Sequence, residues 1–140
     1  MHQEQRSEEH RLTVEVDPAK EDVKYLRRAL IEYNIRQAKI EDSEEVAVFV
    51  RDQYDGVVGG VCGWIWGACV DIDYFWVDPA SRKRGYGRRL LRALEEQAMS
   101  RGCPCATLDT FTFQAPDFYE KMGYERFGVM EGVPNECKKF

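Results

Sequence analysis

Apolar residues recur along this chain with two periods, and each change of period marks an element. Residues 12–16 (LTVEV) alternate apolar and polar, the pattern of a half-buried strand. Asp17-Pro18 then offers an N-cap and a first helical residue, and Val23, Leu26, Leu30 and Tyr33 follow at spacings of three and four. That stripe predicts a helix to about Ala38. Residues 46–50 are a run of β-formers, Asp55-Gly56 is a hairpin turn signal, and residues 57–66 return as a strand. Gly67-Ala68 permits a second reversal into residues 69–77, closed by Asp78-Pro79. The expected result is an antiparallel meander of three strands.

The period then lengthens. Leu90, Leu91, Leu94 and Ala98 mark one stripe of a helix that Gly102 stops, with Glu95 and Glu96 expected to face water. Residues 105–111 (CATLDTF) read as a strand, and a crossover of this length implies parallel pairing with the strand before the helix. Pro116 opens a short helix ended by Gly123. Residues 124–130 are expected as a last full strand, and 136–140 as no more than a stub. The order β-α-β-β-β-α-β-α-β describes an α/β domain on a mixed sheet. Residues 1–10 read as a flexible N-terminal tail and 11–140 as a single domain.

Composition narrows the class. At 140 residues, 44% hydrophobic and 32% charged, the chain has the size and balance of one globular domain. The polar start shows no signal peptide. The uncharged stretch over residues 57–70, 14 residues with four glycines, is too short and too glycine-rich for a membrane helix. Five cysteines with no secretion signal favour reduced thiols and a cytoplasmic location. Cys103-Pro-Cys105 lacks the further ligands a closed metal site needs, because the only histidines, His2 and His10, lie in the tail.

Charge is unevenly placed. The net charge is −5, yet residues 82–92 (RKRGYGRRLLR) hold six cations and no anion, leaving 14 cations against 25 anions elsewhere. A compact basic spot in an acidic body points to a small polyanion rather than to nucleic acid, which calls for a broad basic face. Gly85 and Gly87 lie where a loop hands over to a helix. A helix N-terminus presents N–H groups without partners, glycine lets them approach an anion, and Arg82, Lys83, Arg84 and Arg88 add full charges. The segment is not a P-loop, which requires four residues between its glycines and then Lys-Ser/Thr. Nor is it a dinucleotide fingerprint, since Leu90 stands where a third small residue is needed.

Arg82-x-x-Gly85-x-Gly87 resembles the pyrophosphate-binding signature (Q/R)-x-x-G-x-(G/A) of the GNAT superfamily of acetyl-CoA-dependent N-acetyltransferases. Residues 115–128 (APDFYEKMGYERFG) are similar to that family's second signature, A-x-x-FYEKxGF. The resemblance spans roughly residues 46–130. It implies a single-domain α/β fold whose mixed, mostly antiparallel sheet splays between the fourth and fifth strands and is flanked by helices. The pantetheine arm of acetyl-CoA would lie in that gap, paired with backbone near Trp76 and Val77, while amides from Lys83 through Arg84, Gly85, Tyr86 and Gly87 to Arg88 would hold the pyrophosphate. No metal is implied.

By the same resemblance Tyr119 is the general acid that protonates the departing thiolate, the alternative being a tyrosine packed for stability with its hydroxyl tied to backbone. Asp71 falls where some members carry a glutamate base. Alternation places Asp71 and Asp73 on one face about 7 Å apart, so the base is Asp71, Asp73 or a water chain. Asp73 and Asp109 are candidate acceptor-binding carboxylates, Asp109 alternatively capping nearby backbone. Trp64, Trp66, Tyr74, Phe75 and Trp76 are expected mainly in the core. Thr112 replaces an asparagine often found seven residues before the tyrosine. A primary amine of a small molecule is the expected acceptor, with a protein amine or a non-catalytic acyl-CoA-binding module as alternatives. A homodimer, with a partner chain completing the short last strand, is a further expectation. Neither nucleic acid nor membrane is expected as a partner.

Overall fold

The computed structural model describes residues 9–39 and 43–140. The expected tail at residues 1–10 therefore falls, for residues 1–8, outside the described residues. Backbone contacts group the chain into two units, Met1–Lys39 and Ile40–Phe140.

The first unit holds α1 (Lys20–Ala38). Its N-cap is Ala19, whose carbonyl accepts from the Asp22 and Val23 amides, not the expected Asp17. Asp17 takes φ 54, a left-handed conformation, and the turn it makes postpones the helix. Residues 12–16 form no strand, and Leu12, Val14 and Val16 are exposed. Alternation permits a strand, but a neighbouring strand must supply the ladder hydrogen bonds.

The second unit is built on a sheet of order β1-β2-β3-β4, with β1 (Ser43–Arg51), β2 (Val57–Trp66), β3 (Cys69–Val77) and β4 (Cys105–Leu108). The first two pairings are antiparallel and the third is parallel, as the crossover length predicts. Asp52 shapes the first hairpin, its carboxylate accepting from the Tyr54 and Gly56 amides. A 3₁₀ turn at Pro79–Ser81 leads to α2 (Tyr86–Ser100), which lays Leu90, Leu91, Leu94 and Ala98 on the sheet. They meet Val61, Ile65, Val70 and Ile72, also buried. Gly63 makes room for β3: a Cβ there would lie 2.9 Å from Val70 Cγ2 and 3.0 Å from Asp71 O. Leu94→Ala is expected to cost about 3 kcal/mol of unfolding free energy, read from the urea midpoint, because Leu94 is fully buried and its neighbours are held by two strands. Glu96 is exposed as expected, but Glu95 is half-buried, and that burial raises its carboxyl pKa against the opposing pull of Arg92.

Two expectations fail toward the C-terminus. The strand expected at 105–111 stops pairing with β3 at Leu108. Its second half turns to the chain end: Thr110 and Phe140 exchange backbone bonds of 3.2 and 2.8 Å, and Phe111 bridges Lys139. Residues 124–130 are not a full strand; only β5 (Met130–Glu131) pairs, with the two-residue β6 (Lys138–Lys139). The preceding segment follows α3 (Pro116–Lys121) instead. The Tyr124 amide closes on Tyr119 O, and Arg126 pairs with Asp117 and Glu120 on α3 while lying 4.0 Å over the Phe140 ring. No helix among the described residues is long and apolar enough to cross a membrane.

Candidate active site

Pairing between β3 and β4 ends at Ile72–Leu108, but β3 runs on to Val77. The two strands part there, and the gap opens a cleft of about 620 Å³. This is the splay expected between the fourth and fifth strands; it falls between β3 and β4 because residues 12–16 form no strand.

Backbone geometry makes one wall of the cleft an unpaired strand edge. The Asp78 amide donates to Val58 O, and Trp76 O lies 3.3 Å from the Cβ position of Gly59, so both groups face β2. Successive peptide groups alternate, which turns the Val77 and Phe75 N–H and C=O groups the other way, toward the open side. Arg82 Nε donates to Val77 O at 2.8 Å and ties the loop to that edge. The backbone polar groups for an extended ligand are thus those of Phe75 and Val77, whereas Trp76 contributes its side chain to the wall.

The glycine loop closes one end of the cleft. Gly85 is the N-cap of α2 at φ 79, with Lys83 also left-handed at φ 63. A Cβ on Gly85 would touch nothing within 4 Å, so its bareness serves its backbone conformation and leaves the helix mouth open. Gly87 differs: its bare side faces the rings of Phe75 and Phe118, at 3.6 and 3.7 Å from a Cβ placed there. Those are ordinary contacts, and alanine is the better helix former. Gly87→Ala is therefore expected to preserve acetyl-CoA binding and to add roughly 0.5–1 kcal/mol of stability, measured by calorimetry and chemical denaturation. None of the six cations in 82–92 forms an ion pair among the described residues, which leaves their charge available to an anion.

Tyr119 stands at the other end. Its ring packs against Phe75, Phe118 and Tyr124, with centroids 6.0, 5.4 and 5.9 Å away. Its hydroxyl makes no hydrogen bond among the described residues, so it is not tied to backbone. Burial pushes its pKa up to about 12, which keeps the proton on oxygen throughout the neutral range. Tyr119 also borders a second cavity of about 480 Å³ between α2, β4 and the segment after α3, where the buried Tyr124 hydroxyl lacks a partner among the described residues.

Asp73, Trp76, Val77, Arg82, Lys83, Gly85, Tyr86, Gly87, Arg88, Asp109 and Tyr119 all line the cleft; Asp71 and Arg84 do not. The Asp71 carboxylate accepts the Thr107 hydroxyl at 3.1 Å, across the paired part of β3 and β4. Asp73 lies beyond that paired part, as the extra residue of a bulge in β3: Cys62 pairs with Tyr74 and Gly63 with Ile72. The bulge also shifts the inward phase from Val70 and Ile72 to Phe75 and Val77, so Tyr74 and Trp76 are exposed rather than core. Asp109 caps no backbone among the described residues; its carboxylate pairs with Lys139 at 3.3 Å. Thr112 exchanges hydrogen bonds with the Lys138 backbone and anchors the chain end. Sequence reasoning missed the wall formed by Phe113, Gln114, Ala115 and Phe118, where Gln114 Oε1 accepts from the Phe111 amide and the Thr110 hydroxyl.

One cleft thus joins an open strand edge, the Gly85 helix mouth and the Tyr119 phenol, and the Acetyltransferase (GNAT) family matches residues 6–124. The chain belongs to the GNAT acetyltransferase family. This GNAT acetyltransferase is 30% identical over 107 residues to an acetyltransferase of Agrobacterium fabrum, covering 76% of this chain and 78% of that one. It is 33% identical over 92 residues to the blasticidin-S acetyltransferase of Streptomyces morookaense, covering 65% and 68%. A crystal structure of an acetyltransferase from Bacillus cereus superposes with a TM-score of 0.74 at 33% identity, covering 91% of this chain and 93% of that one. The GNAT acetyltransferase described here is thus an acetyl-CoA-dependent acyltransferase on an α/β fold.

Proposed function

We propose that this acetyltransferase moves the acetyl group of acetyl-CoA to a primary amine of a small molecule by direct attack, with Tyr119 as general acid. The observation that carries the proposal is the single cleft joining the Gly85 helix mouth to the Tyr119 hydroxyl along the open edge of β3. The residues present fit acetyl-CoA: a bare cradle with unpaired cations suits its phosphates, and the Phe75 and Val77 peptide groups suit its amide-bearing arm. Bound there, acetyl-CoA supplies an activated thioester and a leaving thiol.

The chain's own groups have three tasks. Peptide N–H groups on the β3 edge stabilise charge growing on the carbonyl oxygen. Tyr119 gives its proton to the sulfur; burial raises the phenol pKa and keeps that proton in place until the thiolate departs. Asp73, at the bulge in the cleft wall, is the carboxylate placed to orient the acceptor ammonium and receive its proton. A lysine-like amine is neutral about once in 10³ molecules at pH 7, so removing its proton is worth roughly 4 kcal/mol. Asp109, tethered by Lys139, lines the acceptor side. Asp71 belongs to the β3–β4 ladder through Thr107.

A small-molecule acceptor is supported by the similarity to an enzyme named for acetylating blasticidin-S, and the acidic remainder of the chain favours a cationic one. We take residues 11–140 as one acetyltransferase domain, since the family match runs unbroken from 6 to 124. The deciding experiment is a screen of aminonucleoside, aminoglycoside, polyamine and N-terminal peptide amines, read as free thiol released from acetyl-CoA. Turnover with small amines but not peptides is expected. Turnover with peptides alone would refute the acceptor class, and acetyl-CoA binding without turnover on any amine would favour a non-catalytic module.

A further inference from the structure

The closed end of the β3–β4 wedge carries a pair of thiols that the acetyl-transfer chemistry does not use. Cys69 and Cys105 are register partners on the first rung of the parallel ladder. The Cys69 thiol points at the Cys105 sulfur, 3.0 Å away. Partners on adjacent strands project to the same face and sit about 4.8 Å apart, inside the Cα separation that a disulfide spans. The Cys105 amide, bonded to Ala68 O at 3.2 Å, fixes the rung. Cys105 is exposed and Cys69 half-buried, so a reagent can reach one sulfur while the other waits behind it. Cys103, two residues away, is buried, with its thiol directed to Cys105 O.

We propose that Cys69 and Cys105 are a reversible oxidation site, forming an intrachain disulfide with a small-molecule disulfide such as oxidised glutathione and clamping the closed end of the wedge. The Cys105 thiolate attacks one sulfur of the reagent, whose S–S bond breaks and releases one glutathione thiolate. Cys69 then loses its proton to solvent and attacks the Cys105 sulfur, expelling the second glutathione. Two protein thiols are oxidised and one glutathione disulfide is reduced to two thiols. The attacking species is the thiolate, and burial raises the Cys69 pKa, so the second step quickens as pH rises from 7 to 9. The rung lies at the end of the ladder away from Ile72–Leu108, where the cleft begins, so the clamp fixes register without filling the site.

The test uses the full chain incubated with oxidised glutathione at pH 7, 8 and 9, followed by thiol titration and intact mass. The expected result is loss of two thiols and two hydrogens with no added glutathione, faster at higher pH, reversed by dithiothreitol, and accompanied by a melting temperature higher by several degrees. Cys62 shares a tryptic peptide with Cys69, and Cys103 with Cys105, so variants assign the bond. Cys62→Ser and Cys103→Ser should still close, whereas Cys69→Ser should stop at a glutathione adduct on Cys105. Closure persisting in Cys69→Ser, an adduct without closure in the unmodified chain, or no thiol loss would each overturn the proposal.

Discussion

Tyr119→Phe is expected to lower kcat by about 10²-fold or more while the acetyl-CoA dissociation constant changes by less than about twofold. The substitution removes one oxygen and leaves the ring, so the packing against Phe75, Phe118 and Tyr124 survives. No hydrogen bond among the described residues is lost with that oxygen, which argues against a stability cost. In the proposed mechanism, what is lost is the proton given to the leaving thiolate. Steady-state kinetics with the best acceptor, set beside calorimetric titration with acetyl-CoA, separates the two quantities. A parallel fall in affinity would mean the tyrosine is structural, and an unchanged kcat would mean the thiolate leaves unaided.

The pH dependence follows from the same group. Folding raises the Tyr119 pKa from its ordinary value near 10 to about 12. The group is protonated in both states below pH 10, so it contributes nothing to acid sensitivity. Above pH 10 the unfolded chain ionises first, and the stability tied to keeping the phenol neutral is lost as pH rises toward 12. Activity should show no descending limb from this acid between pH 8 and 10, and the ascending limb should report the acceptor amine or its base.

Gly85→Glu carries the second large effect: acetyl-CoA affinity is expected to fall by about 10²-fold or more. Two costs add. A side chain at φ 79 strains the backbone by about 1–2 kcal/mol, and a carboxylate at the helix mouth repels phosphates and competes for the same N–H groups. Because a Cβ there meets no atom within 4 Å, the fold should survive, its melting temperature falling only by the strain. Calorimetry on the variant, with Gly85→Ala as the strain-only control, isolates the electrostatic part. Equal affinity in Gly85→Glu and Gly85→Ala would remove the phosphate cradle from this loop.

The elements that sequence placed well are those whose partners lie close along the chain. β2 and β3 begin and end where the alternation and the Asp55-Gly56 and Gly67-Ala68 turns put them, because short antiparallel connections fix register locally. The stripe of α2 is equally plain, since Leu90, Leu91, Leu94 and Ala98 answer one continuous face of sheet. The helix mouth at Gly85 and the phenol of Tyr119 were legible for another reason. Each rests on a short motif whose residues are constrained by backbone conformation and chemistry rather than by distant packing.

The failures have a common cause. Residues 12–16 and 124–129 alternate well enough for strands but find no ladder, and the second part of that stretch is instead drawn to α3 by Arg126. The bulge at Asp73 is a two-against-one register between β2 and β3, invisible to a pattern read along one strand. It moves Tyr74 and Trp76 out of the core and leaves Trp76 on the cleft wall. The wedge itself arises because residues 110–112 prefer the chain end at 138–140 over β3, a choice between partners distant in sequence.

By itself, the sequence determined the helix mouth at Gly85, the place of Tyr119 on a short helix and the parallel crossover, since local dihedrals, capping chemistry and periodicity are properties of contiguous residues. Only the tertiary structure decided where the sheet opens, which carboxylate lines the opening and which thiols meet across its closed end. Those outcomes depend on register and on competition between partners far apart in the chain, and a linear pattern carries no term for either.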